Sequence, residues 1–312
     1  MENTGKKVWN ALKGPLKIAV TCALIYFVFQ KIDFRDVKAL FLSSDPLFIF
    51  LAFTSFFLSQ IVSSWRLLGF LKAIDINLSF WYNFRLYLLG MFYNIYGGIG
   101  GDGYKIYILR KRFQQPTKRI IFALLLDRIS GLWAVALISV ILIILIPRIN
   151  VPSGMTLTAF AAGTALYYFI LQKFFRDYNQ NFVKSHLKAA AVQSLQIVSV
   201  ICILLSQDFT GKFSPYLFSF LVSSIAAIVP IGAFGFGTRE YVMTHASGVF
   251  EMDQALAVFL TLAFSILSTI VSLSGVIFVY RSAEFEPPPS EEDAQNFEKE
   301  ADKTIEGPFP SR

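Results

Sequence analysis

Six ionisable side chains interrupt sequence that is otherwise apolar, and their spacing bears on the chemistry open to them. Asp102 and Lys105 stand three residues apart, which on a helix puts an acid and a base on one face. They close the run Tyr96-Gly97-Gly98-Ile99-Gly100-Gly101-Asp102-Gly103. A glycine-rich turn leading into a helix offers unsatisfied backbone N–H groups, and with the helix dipole it attracts anions such as phosphate. The same glycines would also serve simply to reverse the chain. No Lys-Ser or Lys-Thr ending follows, so nucleotide binding is not inferred.

Asp127 and Arg128 are adjacent inside an apolar stretch, about eight residues into a predicted helix and so roughly 12 Å along its axis. Charge inside a membrane costs a few kcal/mol per residue. The pair is therefore expected either to satisfy itself near the interface, with Arg128 snorkelling, or to face a polar cavity where one partner orients the other towards a charged substrate. Arg239 and Glu240 follow a second run, Pro230-Ile231-Gly232-Ala233-Phe234-Gly235-Phe236-Gly237, and should start a short helix. There Glu240 can act as a capping acid and Arg239 as an interface cation, or both can belong to a binding site. Trp65 and Arg66 are expected to anchor a helix end at the lipid interface.

These residues need elements to position them, and composition says which. The chain has 312 residues, 55% hydrophobic and 16% charged, with a mean hydropathy of +0.56. A soluble domain carries about 25% charge, so an ordinary soluble enzyme is excluded. Apolar stretches predict helices at about 14–30, 46–65, 119–147, 154–172, 187–206, 214–230 and 253–280, most of them near the ~20 residues a spanning helix needs. The expected fold is all-α, a polytopic integral membrane protein with about seven (six to eight) spans. The two glycine-rich segments are expected to be re-entrant. Gly98-x-Gly100-x-x-x-Tyr104 lines up with Gly235-x-Gly237-x-x-x-Tyr241, which suggests two pseudo-repeated halves. Interrupted helices in matching positions of such halves are where repeat-built transporters bind substrate.

The formal charge of +7 is unevenly spread: 24 basic residues face 12 acidic ones up to residue 280, and four face nine from 281 on. Cationic loops on a membrane protein point to the cytoplasm, not to nucleic acid. Between 103 and 119 lie Lys105, Arg110, Lys111, Arg112, Lys118 and Arg119 with no acid. A cytoplasmic N-terminus (1–13), a membrane domain (14–282) and an acidic, disordered tail (283–312) are expected, in the cell (inner) membrane. Lys6, Lys7, Lys13 and Lys17 precede a retained first helix, with no small-residue cleavage site after it. Cys22, Cys202, His186 and His245 have neither disulfide nor metal-ligand spacing, so no metal, cofactor or catalytic residue is assigned.

Three motifs in order then carry a family resemblance. Asn94 with Gly97-Gly98-Ile99-Gly100-Gly101-Asp102-Gly103-Tyr104-Lys105, Leu126-Asp127-Arg128-Ile129-Ser130-Gly131-Leu132, and Pro230-Ile231-Gly232 with Gly237-Thr238-Arg239-Glu240 resemble the lysylphosphatidylglycerol synthase transmembrane region, the flippase-like domain family, over roughly 10–282. The chain departs from the family pattern in having Tyr96 and Gly97 where a proline commonly stands, Lys105 for an arginine, and no arginine across 258–275. The resemblance implies the lipid-translocating part of the multiple peptide resistance factor, which moves aminoacylated phosphatidylglycerol between leaflets of bacterial membranes. Nothing after residue 282 could fold into the soluble synthase domain, so aminoacyl transfer is not expected. The leading expectation is a flippase or transporter for an anionic or zwitterionic amphiphile, its partner a membrane lipid and its oligomeric state open. Its substrate-binding residues would be Gly98, Gly100, Gly101, Asp102, Lys105, Asp127, Arg128, Pro230, Gly235, Gly237, Arg239 and Glu240. A membrane-embedded lipid-modifying enzyme and a helper subunit of a cell-envelope glycosyltransferase are the alternatives.

Overall fold

A computed structural model describes residues 34–96, 100–146, 149, 151–227, 237–281 and 285. The expected first helix at 14–30, Gly98, Pro230, Gly235, and the tail apart from Phe285 lie outside the described residues. Regular structure among the described residues is all α-helix: α1 (Phe34–Ser43), α2 (Pro46–Lys72), α3 (Phe80–Tyr96), α4 (Gly100–Phe113), α5 (Thr117–Ile144), α6 (Ser153–Phe174), α7 (Arg176–Asn179), α8 (Phe182–Leu205), α9 (Phe213–Ala226), α10 (Thr238–Phe250), α11 (Gln254–Leu273) and α12 (Val276–Arg281).

Local chemistry sets the ends. Asp45 accepts the Leu47 N–H at 2.8 Å just before Pro46 opens α2, and Asp253 accepts the Leu256 N–H at 2.7 Å at the start of α11. Left-handed residues close others: Asp75 after α2, Gln114 after α4 and Glu251 after α10. Five helices among the described residues are long and apolar enough to cross a membrane: Pro46–Lys72, Thr117–Ile144, Ser153–Phe174, Phe182–Leu205 and the continuous run Gln254–Val279. This is a multi-pass all-α membrane protein. The expected helix at 214–230 ends earlier, at Ala226, and its 14 residues make about 21 Å, short of a ~30 Å hydrocarbon core. The first glycine run also stays regular for longer than its composition suggests, because α4 begins at Gly100 and makes Gly100 to Gly103 its first turn. Helix α1 was not expected from the apolar stretches, because Arg35, Asp36 and Lys38 break up its apolar residues and Val37 is buried between them.

The chain divides into two compact units, each assembled from separated stretches and not from a first and a second half. The described parts of Ile61–Gly131, Leu166–Ala189 and Val271–Arg312 form one, around a core of Leu71, Ile74, Ile76, Leu86, Leu89, Tyr104, Leu109, Ile120 and Leu126. Within it, α12 lies against α3, with Gly275 so close to the Leu88 carbonyl that a Cβ would clash. The turn around α7 is tied to the start of α5 by an Arg119–Asp177 ion pair at 3.1 Å and a Tyr178 hydroxyl donating to the Arg119 carbonyl at 2.8 Å. Burial holds that phenol above the ordinary tyrosine range, so it remains a donor at any physiological pH.

The other unit comprises the described parts of Met1–Gln60, Leu132–Ala165 and Ala190–Ile270. Its aromatic edges interlock: Phe41 on Phe259 (4.8 Å), Phe56 on Phe264 (5.1 Å) and Phe220 on Phe264 (4.7 Å), ring centre to ring centre. Hydroxyls stitch α2 to α8, Ser55 donating to the Leu195 carbonyl at 2.7 Å and Ser199 to the Ala52 carbonyl at 2.8 Å.

Candidate functional site

The glycine-bearing segment of the first unit is a helical hairpin, α3 packed on α4. Gly100 has φ of +74°, a conformation costly for any residue with a Cβ, so the chain can turn there and start α4 at once. Contact between the two helices is closest at Gly90 and Gly101. A Cβ on Gly101 would fall on the Gly90 carbonyl, and one on Gly90 would fall on the Lys105 side chain. Gly101 donates its N–H to Asn94 Oδ1 at 2.7 Å. That amide, expected to be free for an anion, is already satisfied by a residue of the preceding helix.

The geometry of Asp102 follows from this hairpin. Its Oδ1 accepts from Lys105 Nζ at 3.0 Å, the i,i+3 pair read from the spacing. Its Oδ2 accepts from Arg128 Nε at 2.6 Å and also meets Arg128 Nη2. One carboxylate thus holds two cations, one on its own helix and one on α5, and the triad carries a net charge of +1. Lys105 is buried, 8% of its side chain exposed, with its ammonium 4.8 Å from the centre of the Tyr87 ring. Arg128 is not: 56% of its side chain is exposed.

Asp127 and Arg128 do not form the pair that adjacency suggested. Successive residues on a helix point about 100° apart, so each finds its own partner. Asp127 turns inward and takes Arg66 in a two-pronged pair, Nε to Oδ1 at 2.7 Å and Nη2 to Oδ2 at 3.0 Å, with side-chain exposures of 8% for the arginine and 11% for the acid. Arg66 is therefore a buried partner and not a lipid-interface anchor. Its neighbour Trp65 is exposed, with Lys188 Nζ 4.1 Å from its ring centre. Gly131, four residues after Asp127, leaves room for the guanidinium; a Cβ there would stand 3.4 Å from Arg66 Nη1. Sequence reasoning missed the role of Arg66, and a lone arginine at an apolar helix end offered little to find it by.

In the second unit, Gly237 repeats the Gly100 arrangement. Its φ is +82°, α10 starts directly after it, and its N–H is accepted by Glu240 Oε2 at 2.7 Å. Glu240 is 2% exposed and caps its own helix, as one reading expected. Arg239 runs between aromatic rings, its guanidinium carbon 5.3 Å from the centre of Phe264 and 6.0 Å from that of Phe220. Its Nε is buried and has no hydrogen-bond partner among the described residues. The aligned glycines Gly100 and Gly237 thus do the same backbone work. The aligned tyrosines differ, Tyr104 being buried and Tyr241 exposed.

A sequence profile of the lysylphosphatidylglycerol synthase transmembrane region matches residues 15–189, more than half of the chain. The chain belongs to that family. The matched region holds the Asn94–Lys105 and Asp127–Arg128 motifs, and the Arg239–Glu240 motif lies beyond it, so the family match is narrower than the resemblance over 10–282. Comparison with curated proteins finds no match. Membership makes this a membrane domain of a lipid-handling family, consistent with the five helices among the described residues that are long and apolar enough to span and with a charged cluster set on two helices of one unit.

Proposed function

We propose that the protein moves an amphiphile with an anionic or zwitterionic head group, a phospholipid with or without an aminoacyl group, between the leaflets of the cell membrane. The observation that carries this reading is Arg128, a half-exposed arginine on a membrane helix, gripped by Asp102 through Nε and Nη2. A guanidinium has five N–H donors, and this grip leaves Nη1 and one hydrogen of Nη2 to meet a phosphate. The cluster's net charge of +1 is balanced by one phosphodiester. Asp102 and Lys105 hold that arginine in place, and the Arg66–Asp127 pair next to it is already neutral. Gly100 and Gly101 shape the start of α4, the helix that carries Asp102 and Lys105. Asp102 and Asp127 are both committed to cations, which leaves neither carboxylate open to take a proton from a substrate and disfavours the lipid-modifying enzyme.

The test reconstitutes the protein with fluorescent phospholipids and follows leaflet exchange. Wild type should exchange lipid well above empty vesicles, and Arg128→Gln should fall towards them; equal rates in all three preparations would sink the reading.

A further inference from the structure

Phe285 is the one described residue beyond α12, and it is 8% exposed within the core of its unit. Its ring lies 4.8 Å from that of Tyr82, in the first turn of α3. Tyr82 also carries the guanidinium of Arg112, 4.3 Å from its ring centre. Helix α12 brings the chain here by packing along α3, with Phe278 set against the same core. The chain after the membrane helices is therefore anchored beside the last turn of α4.

That last turn is the basic run Arg110-Lys111-Arg112, in a stretch with no acid from 103 to 119. Beside it is an open recess of about 420 Å³ lined by Tyr107, Arg110, Lys111, Gln114 and Gln115. The sequence that follows Phe285 is its complement. Glu286, Glu291, Glu292 and Asp293 come within eight residues with no base among them, and from 286 to the end eight acids face three bases. Reach is no obstacle: Glu291 is six residues past the anchor, up to about 20 Å of extended chain. The recess residues lie within five positions of Arg112 on one helix and its end, about 8 Å at helical rise.

We propose that the acidic segment 286–293 docks in this recess, so that the C-terminal tail is the intramolecular occupant of the basic face of α4. Two consequences follow. The tail lies on the same side of the membrane as the basic 103–119 stretch, and it covers Arg110 and Lys111 against anionic lipid. The docking is salt-sensitive, because exposed charge pairs are screened over about 8 Å at physiological ionic strength.

The experiment uses the full chain with Cys22→Ser and Cys202→Ser, reconstituted in sealed vesicles of neutral phosphatidylcholine. Gln114→Cys is paired either with Glu292→Cys or with Ser311→Cys and treated with a short bis-maleimide. Cross-linking through position 292 should be several-fold faster than through 311, should lose that advantage in 1 M salt, and should lose it again with Arg110→Glu/Lys111→Glu. A membrane-impermeant maleimide should reach positions 114 and 292 from the same side. Labelling from opposite sides, or equal cross-linking rates at 292 and 311, overturns the proposal. Loss of the 292 cross-link when phosphatidylglycerol replaces part of the neutral lipid at constant salt assigns the recess to lipid and also overturns it. Neither measurement depends on transport, so failure here is distinct from failure of the flippase reading.

Discussion

Two adjacent residues on one helix divide the work of this site. Asp127 is spent on holding Arg66 inside the protein, and Arg128 is held at the edge by Asp102. Their substitutions should therefore separate stability from activity. Asp127→Asn leaves a buried guanidinium without its counter-charge and should cost about 3 kcal/mol or more, seen as a lower unfolding midpoint in detergent. Replacing both partners, Arg66→Met with Asp127→Leu, should recover most of that loss, because a matched apolar pair leaves no stranded charge. Arg128→Gln should unfold near the wild-type temperature and slow lipid exchange about tenfold or more, the ~1.5–3 kcal/mol attached to a charge-assisted hydrogen bond. Arg128→Lys should restore only part of the rate, since an ammonium keeps the charge and loses the fork that lets one side chain hold Asp102 and phosphate together.

At the scale of elements, the α3–α4 hairpin decides where Asp102 and Lys105 point. Its tolerance is set by two glycines that allow the backbones to touch, a common device where helices meet in a membrane. Gly101→Ala puts a methyl group on the Gly90 carbonyl and should separate the helices, with loss of transport and a marked fall in thermal stability. Gly163→Ala, on α6 with open space around it, is the matched control and should be neutral or slightly stabilising. In the second unit the Glu240 cap is the comparable device. Glu240→Ala should weaken the start of α10 by about 1 kcal/mol, and a similar midpoint shift for Glu240→Gln would show that the carboxylate charge, not merely a hydrogen-bond acceptor, is needed.

For the whole molecule, the bilayer is part of the fold. Helix α6 buries very little of its length inside the protein, and Leu166 near its middle is exposed. Leu166→Lys should impair insertion of that span by about 2.5–3.5 kcal/mol, measurable by glycosylation mapping, whereas a soluble protein would accept it at the surface. Much of this level was legible beforehand. Apolar runs of about twenty residues predict spanning helices wherever they occur, and the positions of α2, α5, α6 and α8 follow from them to within several residues. The paired glycines also declared themselves, since a positive φ where a helix starts is a local demand that Gly100 and Gly237 meet without help from the rest of the chain. The Asp102–Lys105 contact is local for the same reason, three residues on one helix face. What sequence could not reach is any contact that joins distant segments. Arg66 is 61 positions from Asp127 and Asp102 is 26 from Arg128, and Asn94 reaches the amide of Gly101 across the hairpin turn. Sequence by itself determined a membrane protein, most of its long apolar helices and the few ionisable residues that need an explanation. Only the tertiary structure decided which cation each carboxylate holds, because helix rotation and packing choose partners, and neither is written in the spacing of neighbours.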